Sequence, residues 1–304
     1  MSIIYDHAQY VNITNKIIDT IKKNGIPFYV KKWKIPIIPS KFDSYDDFFR
    51  FVTGLCMEYN NHTFPLSQTI NIIKNKNNKN IQFDRPYPKF KYDMKNKIGT
   101  IIFYHFYGYG NKQVEKDTRA IIKLVRTNYK KFIKLGLFGL IIDLRKHFGG
   151  NMWPCVNSLI DIYGNTTLLS FNNTKTKISD NKWINVINNK IMYEQKFLAN
   201  KLAFGGPIAI IVSNKTMSSG ELITATFMGK PNVKIFGDKT NKTGGYFSIN
   251  NIFKINNDID LAVTVSFPTT SDGIFHKNNY IMLDHTSHKP ISDAKKWILS
   301  HISI

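Results

Sequence analysis

Two short apolar runs, FGLIIDL at 138–144 and GPIAIIVS at 206–213, each break into a polar or glycine-bearing turn and then a helical stretch. Apolar runs of that length, without alternation, fit strands buried on both faces. A third strand, GTIIFYHF (99–106), is joined to the first by the long amphipathic segment NKQVEKDTRAIIKLVRTNYKKFIKL. NMWPCVNSLIDIYG and SSGELITATFMG read as further helices, and NVKIFG as a further strand. Strands separated by helices require crossover connections, so the expected class is α/β with a largely parallel, doubly covered sheet. Near the end, YFSINNIFKI and DLAVTVSF flank the turn NND (256–258) and read as a hairpin.

The first part of the chain has a different character. NITNKIIDTIKKNG places Ile13, Ile17, Ile18 and Ile21 at helical spacing and stops at Gly25, and SYDDFFRFVTGLCMEYN opens on Ser44 as an N-cap with acids in its first turn. We therefore expect a helical N-terminal domain over 1–92 and an α/β core over 93–304. The Asn/Lys-rich stretch NIIKNKNNKNIQ (71–82) reads as a loop between them.

With 304 residues, 42% of them hydrophobic, the chain can bury a sizeable core. Its net charge of +21 is compatible with an acidic partner, but no run interleaves basic and aromatic residues as a single-strand channel does. The charge reads as a solvated surface, with no nucleic-acid partner. Cys56 and Cys155 sit in apolar helical patterns and read as buried thiols, without a disulfide framework. No basic leader and no run near the roughly 18 apolar residues of a membrane span is present, which gives the expectation of a cytoplasmic protein without a membrane partner. The six Asn-x-Ser/Thr sequons follow from the abundance of asparagine. The histidines and cysteines show no metal-ligand spacing, so no metal or other cofactor is expected.

The chemistry is sought where the two buried strands end, because ligands of open α/β sheets bind beyond the carboxyl ends of the strands. DLRKHFGGN carries Asp143 and Arg145 and then Gly149 and Gly150, whose lack of a Cβ lets backbone N–H groups approach a ligand oxygen. TMSSGE sets Ser218 at a strand-to-helix junction, where a serine can attack while the N–H of Ser219 holds the oxyanion that develops. A plainer reading stands beside each: Ser218 to Glu221 has capping-box spacing, and the glycines fit an ordinary turn. A third element is NNHTFPLS, where His62 follows a helix end.

GLIIDLRKHFGGNMWP and GPIAIIVSNKTMSSGELITATFMGKPNVKIFGDKT resemble the two signature blocks of the tail-specific, or C-terminal processing, serine proteases, relatives of the tricorn protease core. NNHTF is similar to the family element that supplies a histidine, and the pieces stand in family order from about residue 50 to residue 273. The resemblance implies a ClpP/crotonase-like core, Ser218 as nucleophile, His62 as general base, and an oxyanion hole from the N–H groups of Ser219 and of Gly149 or Gly150. It implies a peptide or unfolded protein as substrate and leaves the oligomeric state open.

The chain also departs from the family pattern. DLRKHFGG has Lys146 and His147 where the family has Gly and Asn. The element that holds a lysine base in other members reads GDKTNKTGG, which puts Thr243 at that position and Lys242 one residue away. A lysine base needs burial, which an Asn/Lys-rich turn does not promise, so His62 is preferred to Lys242. The supporting carboxylate of His-using relatives has no recognisable counterpart; Asp272, Asp284 and Glu221 are candidates, each with a turn or capping alternative. Only 36 residues separate His62 from the strand at 99, too few for the PDZ module of many relatives. The rival readings are a protease fold kept as a catalytically inactive binding or scaffold protein, and a crotonase-like enzyme acting on acyl thioesters.

Overall fold

The computed structural model describes residues 5–25, 33, 35–60, 62–67, 86–107, 112–164, 166–171, 174–179, 182–187, 190–196, 204–238, 242–274 and 280–301. The loop expected at 71–82 lies outside the described residues. The chain divides into two compact units, one of Met1–Gln82 with Ser248–Ser266 and one of Phe83–Phe247 with Phe267–Ile304.

In the larger unit, β2 (Lys89–Asp93) and β3 (Ile98–Phe106) form a hairpin, and α3 (Lys112–Lys134) crosses from β3 to β4 (Gly139–Gly150). Two short helices follow, α4 (Trp153–Ser158) and α5 (Ile160–Tyr163). Then come the strands β5 (Thr167–Phe171), β6 (Thr174–Ser179), β7 (Lys182–Ile187) and β8 (Lys190–Lys196). The chain re-enters the central sheet with β9 (Ile208–Val212), α6 (Ser219–Ala225) and β10 (Val233–Gly237). After an excursion into the smaller unit it returns as β13 (Pro268–Thr270), β14 (His285–Thr286) and α7 (Pro290–Leu299).

The central sheet has the order β14-β10-β9-β4-β3-β2, parallel throughout except at β2. Every residue of β9 and Gly139 to Leu144 of β4 are buried, as strands covered on both faces must be. Ile98, Ile141, Ala209, Ile211 and Phe236 pack with Ala294 and Ile298 of α7. On α3, Val114, Ile121, Val125, Tyr129 and Phe132 are buried along one stripe. The bidentate pair Arg126–Asp161 (2.8 and 3.0 Å) ties α3 to α5, with Asp161 buried and satisfied by the guanidinium fork.

Two features depart from the expectations. β4 does not stop at residue 144 but continues against β3 to the pair Phe106↔Gly150, with shifts of register on the way. A second sheet of order β13-β5-β6-β7-β8 has four of its strands, β5 to β8, in the interval after α5, where the sequence predicts no strand.

The smaller unit holds α1 (His7–Asn24), α2 (Tyr45–Tyr59), β1 (Phe64–Ser67), β11 (Ile249–Lys254) and β12 (Ile259–Ser266). Asp6 and Gln9 cap α1 reciprocally, and the Asp47 N–H donates to Ser44 Oγ at the head of α2 (3.1 Å). The four isoleucines of α1 are all buried. Ile13, Ile17 and Ile21 join Phe48, Val52, Ile259, Leu261 and Val263 in one apolar cluster. The hairpin of β11 and β12 pairs antiparallel with β1, Phe64 opposite Ala262. A division drawn at residue 92 follows chain order and leaves this hairpin with the core; strand pairing puts it in the smaller unit, which is therefore helical with a three-stranded sheet. No helix among the described residues is long and apolar enough to cross a membrane.

Candidate active site

The turn after β9 is held from several sides. The Thr216 hydroxyl donates to the Leu144 carbonyl (3.0 Å) and accepts from the Ser213 N–H (3.0 Å), and the Met217 N–H donates to the His147 carbonyl (3.2 Å). Ser218 follows with φ 51° and ψ −116°, a backbone that L side chains rarely adopt. At Gly220 a Cβ would lie 2.6 Å from the His147 carbonyl oxygen, so only glycine lets α6 start this close to β4. Ser219 is buried, and its Oγ has no hydrogen-bond partner among the described residues.

The capping geometry of Ser218 and Glu221 is present in outline. Its firm half is the Ser218 N–H donated to Glu221 Oε2 (2.9 Å), while the Glu221 N–H bonds to the Ser218 carbonyl (2.9 Å). The positive φ sets Ser218 apart from an ordinary N-cap, which has extended backbone.

Gly149 and Gly150 have φ of +117° and +103°. A Cβ on Gly149 would stand 3.3 Å from Ser218 Cβ and 3.9 Å from Ser218 Oγ, so the glycine backbone lies beside the serine. A Cβ on Gly150 would lie 2.3 Å from the Phe106 carbonyl oxygen, a clash with β3 backbone. Lys146 is exposed, whereas His147 is fully buried with its Nε2 3.8 Å from Cys155 Sγ. Burial, aided by the neighbouring His105, holds the His147 imidazole neutral with a pKa near 3. The buried Asp143 accepts a bidentate bond from Arg145 (2.9 and 2.7 Å).

Glu221 is fully buried, and its carboxylate accepts from the Ser218 N–H, the Tyr246 N–H (2.8 Å), the Gly245 N–H (3.2 Å) and the Thr243 hydroxyl. Desolvation outweighs those four donors and raises its pKa to about 7. Thr243, at the position where the resemblance implies a lysine, is thus a partner of this carboxylate.

In the smaller unit, His62 is buried, and its Nδ1 lies 2.7 Å from Ser248 Oγ. The side-chain carbonyl of Asn60 accepts from the His62 N–H (2.9 Å), and the Asn250 amide donates to the His62 carbonyl (2.6 Å). Burial lowers the imidazole pKa to about 4, so the ring is neutral at pH 7. The partner at Nδ1 is a hydroxyl, where the resemblance implies a supporting carboxylate nearby. Nothing near position 248 in the sequence points to this role, because the pairing spans 186 residues.

The remaining candidates have structural partners. Asp284 Oδ2 accepts from the Ile235 N–H (2.7 Å), tying the approach to β14 onto β10. Asp272 accepts from the Thr270 hydroxyl (2.6 Å) within its own turn and packs on Gly229. Lys242 forms an isolated bridge with Met282, its Nζ 4.9 Å from the centre of the Tyr280 ring.

The profile of peptidase family S41 matches residues 97–286, which spans β3 to β14 and includes Ser218 and both glycines. The chain belongs to peptidase family S41. Its fold is the mixed α/β fold of that family, ClpP/crotonase-like, with N-terminal helices. The nisin-resistance protein of Lactococcus lactis subsp. lactis is 31% identical over 184 residues, 58% of this chain and 56% of the relative. The match thus spans little more than half of that protein's length. A lipoprotein from Streptococcus agalactiae shares the fold with TM-score 0.71 and 23% identity over 99% of both chains. A peptidase candidate from Parabacteroides merdae shares it with TM-score 0.60 and 13% identity, over 97% of this S41 chain and 98% of its own.

Proposed function

We propose that this S41 chain is a serine peptidase in which Ser218 is the nucleophile and His62 the general base. In this reading His62 takes the proton of Ser218 Oγ as the oxygen attacks the peptide carbonyl. The N–H groups of Ser219 and of Gly149 or Gly150 hold the oxyanion, the amine leaves with the proton, and water then releases the acyl group. The observation that carries the reading is the backbone of Ser218, held at φ 51° beside Gly149. A strained strand-to-helix turn that presents a serine is also how enzymes of the unrelated α/β-hydrolase fold expose their nucleophile. Family membership and the neutral state of His62 agree with it. The partial match to the nisin-resistance protein adds support for a peptide-directed activity.

The rival reading, an inactive binding protein, draws on the hydroxyl of Ser248 in the place of a supporting carboxylate. Incubation with labelled, unfolded casein separates the two. The peptidase reading expects fragments from the wild type and none from Ser218→Ala, and equal turnover by both proteins would sink it.

A further inference from the structure

Beside the glycine pair stands a group of aromatic side chains that the peptidase reading does not use. Phe148 directly precedes Gly149 and is 39% exposed. The His105 ring stacks on it, with centroids 5.6 Å apart and planes 20° apart, and His105 also meets Tyr107 at 4.8 Å. Tyr107 is itself 37% exposed, and its Cδ1 lies 3.1 Å from where a Gly150 Cβ would be. The three rings therefore form one contacting group, in which Phe148 and Tyr107 are partly exposed and each adjoins one of the two glycines. Among the described residues, His105 Nδ1 is buried with no hydrogen-bond partner.

Solvent-exposed aromatic rings in contact gain by covering their faces, and a cluster of this kind does so best with another flat or bulky apolar group. A cation would also suit aromatic faces in isolation. Here Lys89 and Lys146 already stand 5.9 Å from the ring centre of the adjoining Tyr104, and the chain carries a net charge of +21. Like charge disfavours a cationic occupant, which leaves an aromatic or large aliphatic one.

We propose that Phe148, His105 and Tyr107 form a specificity shelf that receives an aromatic or large aliphatic side chain of the peptide substrate next to the bond to be cut. The inference rests on the peptidase reading for the location of that bond, and for its role on Phe148 adjoining Gly149 in the chain and on the approach of Tyr107 to Gly150.

The test uses binding, so it does not depend on a reactive serine. Blocked peptides acetyl-Ala-Ala-X-Ala-Ala-amide, with X as Phe, Leu, Lys or Ala, are titrated calorimetrically onto the full-length Ser218→Ala protein. The shelf predicts affinity in the order Phe, Leu, Ala, Lys, with Phe about tenfold tighter than Ala, a difference of about 1.4 kcal/mol. Phe148→Ala added to Ser218→Ala should shrink the Phe-to-Ala ratio to less than about twofold, and Phe148→Tyr should restore it, because the ring is what the peptide touches. Matching thermal midpoints for the three proteins show that the fold is intact. A flat affinity series, no binding of any peptide, or a Phe preference that survives Phe148→Ala would each overturn the shelf. Active-site labelling of the wild-type serine is a separate readout, so loss of the shelf and loss of the peptidase reading are told apart.

Discussion

Ser218 sits on a backbone that costs an L residue of the order of 1–3 kcal/mol relative to an extended or helical one. Among the described residues only Lys97 shares a positive φ without being glycine, and Lys97 closes the β2–β3 hairpin, where such angles are usual. Ser218 has no hairpin to justify it. The strain is instead imposed by the bonds of Thr216 and Met217 to β4 and of Glu221 to the Ser218 N–H. Glycine relieves that strain and alanine does not. Ser218→Gly is therefore expected to be more stable than Ser218→Ala by about 1 kcal/mol in urea unfolding, although glycine also loosens the unfolded chain. Alanine as the more stable variant would mean that the turn is not strained. The sequence made the position visible, since a buried strand ending in a serine-glycine turn limits the possibilities. It did not show the dihedral angle, which arises from contacts with β4, remote in the chain.

At the scale of elements, Glu221 joins the start of α6 to the segment 243–246 through one buried carboxylate. Its capping role was legible from the spacing of Ser218 and Glu221; its bonds to residues 22 to 25 positions later were not. The folded-state pKa, about 7, is raised above its ordinary value of 4.5, so this carboxyl contributes stability below about pH 4.5 and loses it as pH rises through 7. The acceptor strength of the clamp changes in the opposite direction: it holds the Ser218 N–H most firmly when ionised. His62, with its pKa near 4, is already neutral over this range. The rate of serine labelling should accordingly rise with pH through about 7, and Glu221→Gln should flatten that rise. An unchanged limb in Glu221→Gln would remove the clamp from the account. Other elements were harder to read. The run past residue 144 reads as a turn because Gly149 and Gly150 are turn residues by habit, yet positive φ lets them continue the pairing with β3. The strands β5 to β8 lie in a stretch crowded with Asn and Lys, where apolar alternation is too diluted to mark a sheet.

For the whole molecule, the smaller unit depends on a hairpin supplied by the far end of the chain. Leu261 is fully buried in the cluster of α1 and α2, and Leu261→Ala should cost about 2–5 kcal/mol of unfolding free energy. A cost under 1 kcal/mol would show that residues 248–266 are dispensable to that unit. Local patterns marked the helices and the hairpin but carried no record of this pairing, which links Phe64 to Ala262. The central proposal is that Ser218 is an activated nucleophile with His62 as its general base. The most direct test is labelling by a fluorophosphonate, read by intact-protein mass spectrometry, on the wild type, Ser218→Ala and His62→Ala. The account predicts one label on Ser218 in the wild type, none in Ser218→Ala, and labelling slowed by at least about a hundredfold in His62→Ala. A folded wild type that takes no label, or a His62→Ala protein that labels at the wild-type rate, would contradict it.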